Sequence, residues 1–164
     1  MKPTFFIIGA PKCGTTSLHE YLNRHSQITM SNPKEPHYFS LDIKNGGIRD
    51  YEKYLNCFAH GGKSSLAIGE SSTLYLYSKV AIQKIFEYDK DAKFIVMLRN
   101  PLEIARSFHQ VALKMFGEIE VDFQKAWSLQ DKRKLGKSIP MGCVDEQLII
   151  YGDVAKIGLQ VERL

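Results

Sequence analysis

The sequence predicts an α/β layer fold built on a parallel sheet, and two observations carry that reading. The apolar run Phe5-Phe6-Ile7-Ile8 ends in a glycine-bounded loop, Gly9 to Gly14, which leads straight into a helical pattern. Further along, short β-type runs alternate with helical segments, the arrangement in which helices serve as crossovers between parallel strands.

Taken in order, a strand over 4–9 and a loop over 10–14 precede a helix from about Thr15 to Arg24, with Leu18, Tyr21 and Leu22 as its inner face. An extended piece at Ile28–Met30 enters Asn32-Pro33-Lys34-Glu35-Pro36-His37-Tyr38-Phe39, where the two prolines forbid a helix interior. Gly46-Gly47 marks a turn before a helix at 49–58, and Gly61-Gly62 another before a strand at Leu66–Gly69. Residues 78–88 read as helix, 93–98 as a buried strand, and 101–115 as a helix opened by Pro101. A helix at 121–131, a basic loop at 132–137 and a long amphipathic helix from about 144 complete the chain. That last pattern reaches Leu164 with no cap and no following strand, so the domain reads as truncated at its C-terminus.

At 164 residues the chain has one domain's length, and 44% hydrophobic with 24% charged residues suits a soluble globular protein. A net charge of +4 favours small anionic ligands or polysaccharides, but the dense Lys/Arg stripe of a nucleic-acid binder is missing. Three cysteines without metal-type spacing read as free thiols. With no secretory leader pattern and no long apolar run, the expectation is a cytoplasmic protein that does not span a membrane.

The loop at 9–17 has the build of a phosphate cradle, in which backbone N–H groups and a helix N-terminus converge on an anion. The ATP/GTP version requires Gly-Lys-[Ser/Thr] at its end. Here Thr15 follows Gly14, and the loop's lysine is Lys12. The anion expected is therefore not a triphosphate with Mg²⁺. A second basic position is Arg99, after the strand at 93–98, where an NTPase would place a metal-holding aspartate. Ser107, in the following helix, adds a hydroxyl for the same anion.

These residues resemble the sulfotransferases that use 3′-phosphoadenosine-5′-phosphosulfate (PAPS), in their bacterial and heparan-sulfate-type branch. The 5′-phosphosulfate loop of that family is similar to Pro11-Lys12-Cys13-Gly14-Thr15-Thr16-Ser17-Leu18, and its 3′-phosphate motif to Arg99-Asn100-Pro101 with Ser107. Lys34-Glu35-Pro36-His37-Tyr38-Phe39 and Gly69-Glu70-Ser71-Ser72-Thr73-Leu74-Tyr75-Leu76 resemble two further segments. The resemblance implies a three-layer P-loop-type fold, a central parallel sheet flanked by helices. It also implies that residues 1–164 are a single sulfotransferase-like domain lacking the C-terminal segment that closes over the cofactor. Two positions depart from the family pattern: Ile104 stands where a second arginine is frequent, and His109 where an aromatic is common.

The implied activity is in-line transfer of a sulfuryl group from PAPS to a hydroxyl or amine of a small-molecule or carbohydrate acceptor, leaving 3′,5′-ADP (PAP) and requiring no metal. Pro11, Lys12, Cys13, Gly14, Thr15, Thr16 and Ser17 would hold the 5′ end, with Lys12 near the bridging oxygen, and Arg99 and Ser107 the 3′-phosphate. The acceptor proton needs a base. Glu35 and His37, two apart in an extended loop, both point to one side; the resemblance favours Glu35, and base chemistry near pH 7 favours His37. Glu70, read as directly following a strand, would face the acceptor, orient Lys12 or cap the amides of Ser71-Ser72-Thr73. Lys132-Arg133-Lys134 with Lys137 reads as a solvated loop and His19 as a surface residue. The competing classes are a PAP-binding module without turnover and an atypical P-loop kinase.

Overall fold

Phe6, Ile7 and Ile8 have no solvent exposure, so β1 (Phe5–Gly9) is covered on both faces, as an inner parallel strand must be. The computed structural model, which describes residues 1–44, 46–62 and 65–164, places β1 accordingly. It pairs in parallel with β3 (Ala67–Ser71) on one side and β4 (Lys93–Val96) on the other, and β2 (Ile28–Met30) extends the sheet beyond β3. The order is β2-β3-β1-β4. Parallel neighbours need crossovers. Helix α1 (Thr15–Asn23) connects β1 to β2, α2 (Tyr51–Asn56) lies between β2 and β3, and α3 (Ala81–Tyr88) between β3 and β4.

Internal packing divides the chain into two compact units: Met1–Asp42 with Gly46–Leu98, and Ile43–Asn45 with Arg99–Leu164. The first holds the sheet with α1, α2 and α3. The second is helical. Its first helix, α4 (Pro101–Val111), starts as the sequence dictates: Asn100 Oδ1 accepts the Leu102 N–H at 2.9 Å, and Pro101 fills the first turn, where no N–H is needed. Ile104, Ala105, Phe108 and His109 form its buried side. Phe108 stacks on Phe116, while the His109 ring meets Tyr151 edge-on at 5.3 Å and its Nε2 lies 2.7 Å from the Glu120 carbonyl.

Several expectations need correction. The strand at 93–98 is shorter, and it is half-buried rather than buried because β4 is a sheet edge. The segment 121–131 forms two short helices, α5 (Phe123–Ser128) and α6 (Gln130–Lys134), with Leu129 as the C-cap of the first and the N-cap of the second. The long C-terminal helix is a 3₁₀ turn (Glu146–Ile149) followed by α7 (Tyr151–Val154) and α8 (Ile157–Val161), broken where Ile150 and Lys156 leave helical geometry. Lys132, Arg133 and Lys134 of the basic loop lie in α6, and Arg133 is buried there. Its guanidinium grips both Glu118 oxygens, at 2.6 and 2.9 Å, and Tyr151 Oη donates to the same carboxylate at 2.5 Å. Burial pushes the Glu118 carboxyl up, but these donors outweigh it and hold the group at about 2.

Among the described residues no helix is long and apolar enough to cross a membrane.

Candidate active site

The loop after β1 is shaped by two glycines. A Cβ on Gly9 would sit 2.9 Å from both Leu76 Cβ and the Thr73 carbonyl, so the strand can turn here only without a side chain. Backbone bonds from Ala10 N–H to the Met97 carbonyl (2.9 Å) and from Met97 N–H to the Gly9 carbonyl (2.8 Å) tie this turn to the end of β4. Gly14, at φ +81°, is the N-cap of α1. It offers no side chain to the first-turn amides, and that turn carries no acidic residue. Neither the N-cap nor the first turn therefore supplies a side chain that compensates the positive end of α1. Lys12 (φ +65°), Thr16 and Ser17 are exposed around it, while Pro11, Cys13 and Thr15 are buried.

The inner face of α1 differs from the expectation. Thr15 and His19 are its buried residues, and Tyr21 is exposed. His19 is not a surface residue: it is 5% exposed, its Nδ1 has no hydrogen-bond partner among the described residues, and burial pushes its imidazole below the usual range.

The proline-bracketed loop brings Glu35 and His37 together, although not by an extended backbone. Both adopt positive φ, +61° and +51°, and His37 Nε2 lies 3.4 Å from Glu35 Oε2. Lys34 Nζ pairs with Glu35 Oε1, and Thr73 Oγ1 donates to the same oxygen at 3.3 Å. Burial alone would raise the Glu35 carboxyl, but the His37 hydrogen bond and the Lys34 charge overcome it and set the group at about 2. The Glu35 side chain is 38% exposed and that of His37 7%, so the carboxylate is the reachable member of the pair. Arg49 Nη1 donates to the His37 carbonyl at 2.6 Å from the other side.

Glu70 lies inside β3, not after it, and is fully buried. Tyr54 Oη and Ser72 Oγ each donate to it at 2.5 Å. Burial holds its carboxyl above the usual carboxylate range, against the pull of the Ser72, Tyr54 and Tyr75 hydroxyls. Its carboxylate is thus engaged inside the unit and does not face solvent.

In the second unit, Arg99, Glu103, Arg106, Ser107 and Gln110 line one recess of about 450 Å³. Arg99 Nε donates to Glu103 Oε2 at 2.6 Å. The sequence singled out Arg99 and Ser107, with Ile104 where a second arginine is frequent, and did not single out Arg106. Ile104 is indeed in the core. Arg106, however, borders the same recess as Arg99 and Ser107. The signal for it was the spacing of 103, 106, 107 and 110, which is one helix face. Thr73, Ser72 and Arg49, which hold the Glu35–His37 loop, were also not singled out, since each acts through contacts distant in sequence.

The sulfotransferase domain family matches residues 2–141. The chain belongs to that family. It is 34% identical over 112 residues, 68% of this chain and 23% of the relative, to the membrane-associated sulfotransferase kil1 of Dictyostelium discoideum. It is 31% identical over 113 residues, 66% of this chain and 13% of the relative, to the bifunctional heparan sulfate N-deacetylase/N-sulfotransferase 2 of Bos taurus. The chain thus spans well under two thirds of the length of these curated relatives. The crystal structure of a sulfotransferase from Alicyclobacillus acidocaldarius superposes with a TM-score of 0.82 at 32% identity, over 99% of this chain and 68% of that one. The α/β fold with a parallel sheet flanked by helices is therefore that of a sulfotransferase domain, and the expected resemblance to bacterial and heparan-sulfate-type members holds.

Proposed function

We propose that this sulfotransferase domain uses PAPS and transfers its sulfuryl group to a hydroxyl or amine, with a carbohydrate as the favoured acceptor class. The observation that carries the reading is the uncapped N-terminus of α1, ringed by Lys12, Thr16 and Ser17. Amides at a positive helix end with no side-chain N-cap suit a 5′-phosphate, so the donor set fits the cofactor. Pro11 to Ser17 hold that end of the nucleotide, and Arg99, Ser107 and Arg106 take its 3′-phosphate through charge-assisted hydrogen bonds.

When bound, PAPS supplies an activated sulfuryl group whose bond to the bridging oxygen breaks on transfer. Lys12 neutralises the charge that grows on that oxygen, an interaction stronger in the transition state than in the ground state. Because the sulfuryl group carries less charge than a γ-phosphate, a lysine and backbone amides serve without a metal. Glu35 removes the acceptor proton, and His37 orients its carboxylate; the exposure of Glu35 and the burial of His37 favour that division of roles. The carbohydrate acceptor is supported by the heparan sulfate named in the Bos taurus relative and by the chain's net charge of +4. Cys13, Cys57 and Cys143 form no disulfide, which suits a reducing, cytoplasmic setting.

Titration with PAP and with ATP–Mg²⁺ tests the nucleotide assignment: PAP should bind without metal and in preference. Release of PAP from PAPS in the presence of oligosaccharide acceptors then separates an enzyme from a binding module. Preference for ATP–Mg²⁺ would overturn the reading.

A further inference from the structure

Glu70 is a fully buried carboxylate with no part in the chemistry above. Its surroundings nevertheless lead straight to the loop that carries Glu35. Ser72 Oγ gives its one proton to Glu70 Oε1 at 2.5 Å. The hydroxyl's lone pairs then remain for another donor, and the His37 backbone N–H supplies it at 3.0 Å. Flanking contacts reinforce the link: Glu35 N–H donates to the Ser71 carbonyl at 2.9 Å, and Thr73 Oγ1 to Glu35 Oε1 at 3.3 Å. Tyr54 Oη holds the second Glu70 oxygen at 2.5 Å, and the Tyr75 hydroxyl bonds the same group.

The backbone makes this link consequential. Glu35 and His37, neither a glycine, both sit at positive φ. Such conformations persist only where the surroundings over-determine them. The Ser72 bond is the one that grips the His37 amide, and His37 Nε2 in turn meets Glu35 Oε2. The Glu70 carboxyl is met by the hydroxyls of Ser72, Tyr54 and Tyr75, and the first two donate to its oxygens, so its acceptors set the direction of the Ser72 proton. A carboxamide in its place presents an NH₂ to one of them, so one of these hydroxyls loses its acceptor and the link through Ser72 is loosened.

We propose that Glu70 is a positioning residue: through Ser72 Oγ it holds the His37 amide and so keeps the Glu35–His37 pair set for proton removal from the acceptor. This rests on the reading that Glu35 is the base.

The test compares Glu70→Gln, Ser72→Ala and Ser72→Thr with Glu35→Gln. The readouts are PAP release from PAPS with oligosaccharide and water acceptors, PAP affinity, thermal midpoint, and the His37 ring resonances by NMR. Glu70→Gln and Ser72→Ala should lower kcat about 10- to 100-fold, the scale of a slight misplacement of a reacting group. PAP affinity should stay within about twofold, and the His37 resonances should move. Ser72→Thr, which keeps the hydroxyl, should restore most of the rate and the wild-type resonances. Should Glu70→Gln fail to fold, the Ser72 pair carries the test. If Glu35→Gln loses its rate while Glu70→Gln and Ser72→Ala keep theirs, the positioning role alone is overturned. If Glu35→Gln keeps wild-type kcat, the base reading fails and the positioning role with it.

Discussion

The two units offer an anion different kinds of partner. In the first, the donors are main-chain amides at the start of α1, presented by a loop whose shape depends on Gly9 and Gly14 having no side chains. In the second, they are the side chains of Arg99, just before α4, and of Arg106 and Ser107 on that helix, lining one recess. A backbone site tolerates changes of side chain but not an added Cβ. A side-chain site tolerates the reverse. Neutralisation differs as well: Lys34 and His37 hold Glu35 ionised within the first unit, whereas Arg99 in the second is already paired with Glu103 across one helical turn. The charge proposed as the base is thus fixed in place in the first unit, while the charge proposed to bind the 3′-phosphate is shared with a carboxylate and exposed to salt.

The largest effect should come from the fixed charge. Glu35→Gln should lower kcat about 10²–10⁴-fold, the usual share of a general base, with PAP affinity unchanged. Its pH profile sharpens the point. A base works only when deprotonated, and the Glu35 carboxyl is held at about 2, so it stays ionised far into acid. The rate should therefore persist as pH falls through about 6–7, the range in which a histidine base would lose it. A loss of kcat in that range, with His37→Ala more damaging than Glu35→Gln, would transfer the role to His37. Lys12→Ala should come next, at about 10²–10³-fold in kcat with a smaller loss of PAP binding, since its charge matters most in the transition state. Steady-state kinetics with direct PAP titration checks both.

Arg99→Ala tests the second unit. PAP binding should weaken by roughly 1.5–3 kcal/mol, the scale of a hydrogen bond to a charged group. Adenosine 5′-phosphosulfate, which lacks the 3′-phosphate, should bind as before. Equal losses for both ligands would make Arg99 a structural residue. The backbone site gives the converse test. Gly14→Ala makes only an ordinary contact, with Met97 Cε at 3.6 Å, but forces a non-glycine residue to φ +81°. That should cost about 1 kcal/mol in thermal unfolding, and Thr16→Ala or Ser17→Ala less, because amides rather than hydroxyls make the site.

Legibility in the sequence follows the same division. β1, the loop and the start of α1 were readable because glycine spacing and an apolar run are local signals. The 3₁₀ and α pieces after 144 were not, because their apolar positions fit a continuous helix and the breaks at Ile150 and Lys156 have no proline to mark them. Arg133 looked solvated in a basic run because its partner, Glu118, lies fifteen residues away, with nothing in the spacing to pair them. Glu35 and His37 were paired from their two-residue spacing in a loop read as extended, with the family resemblance pointing to Glu35. Their positive φ and their attachment to Ser71, Ser72 and Thr73 arise from contacts between loops, which no periodicity encodes.

Arg106 gives the smallest effect and the sharpest test of what a side-chain site is. Its guanidinium borders the Arg99–Ser107 recess but is exposed, so water and salt screen it. Arg106→Ala should weaken PAP by only about 0.2–1 kcal/mol, the range of exposed charge pairs. Small as that is, its character is predictable. If both arginines meet the same phosphate, the double variant should depart from the sum of the single losses, because neighbouring charges on one ligand couple. The dependence of PAP affinity on salt should also flatten stepwise, first with one arginine removed and then with both. Glu103→Gln should act in the opposite direction, tightening PAP slightly by releasing Arg99 from its carboxylate partner at 2.6 Å. Strict additivity of the two arginine losses, with an unchanged salt slope in Arg106→Ala, would place Arg106 outside the phosphate site and leave Arg99 and Ser107 to hold it.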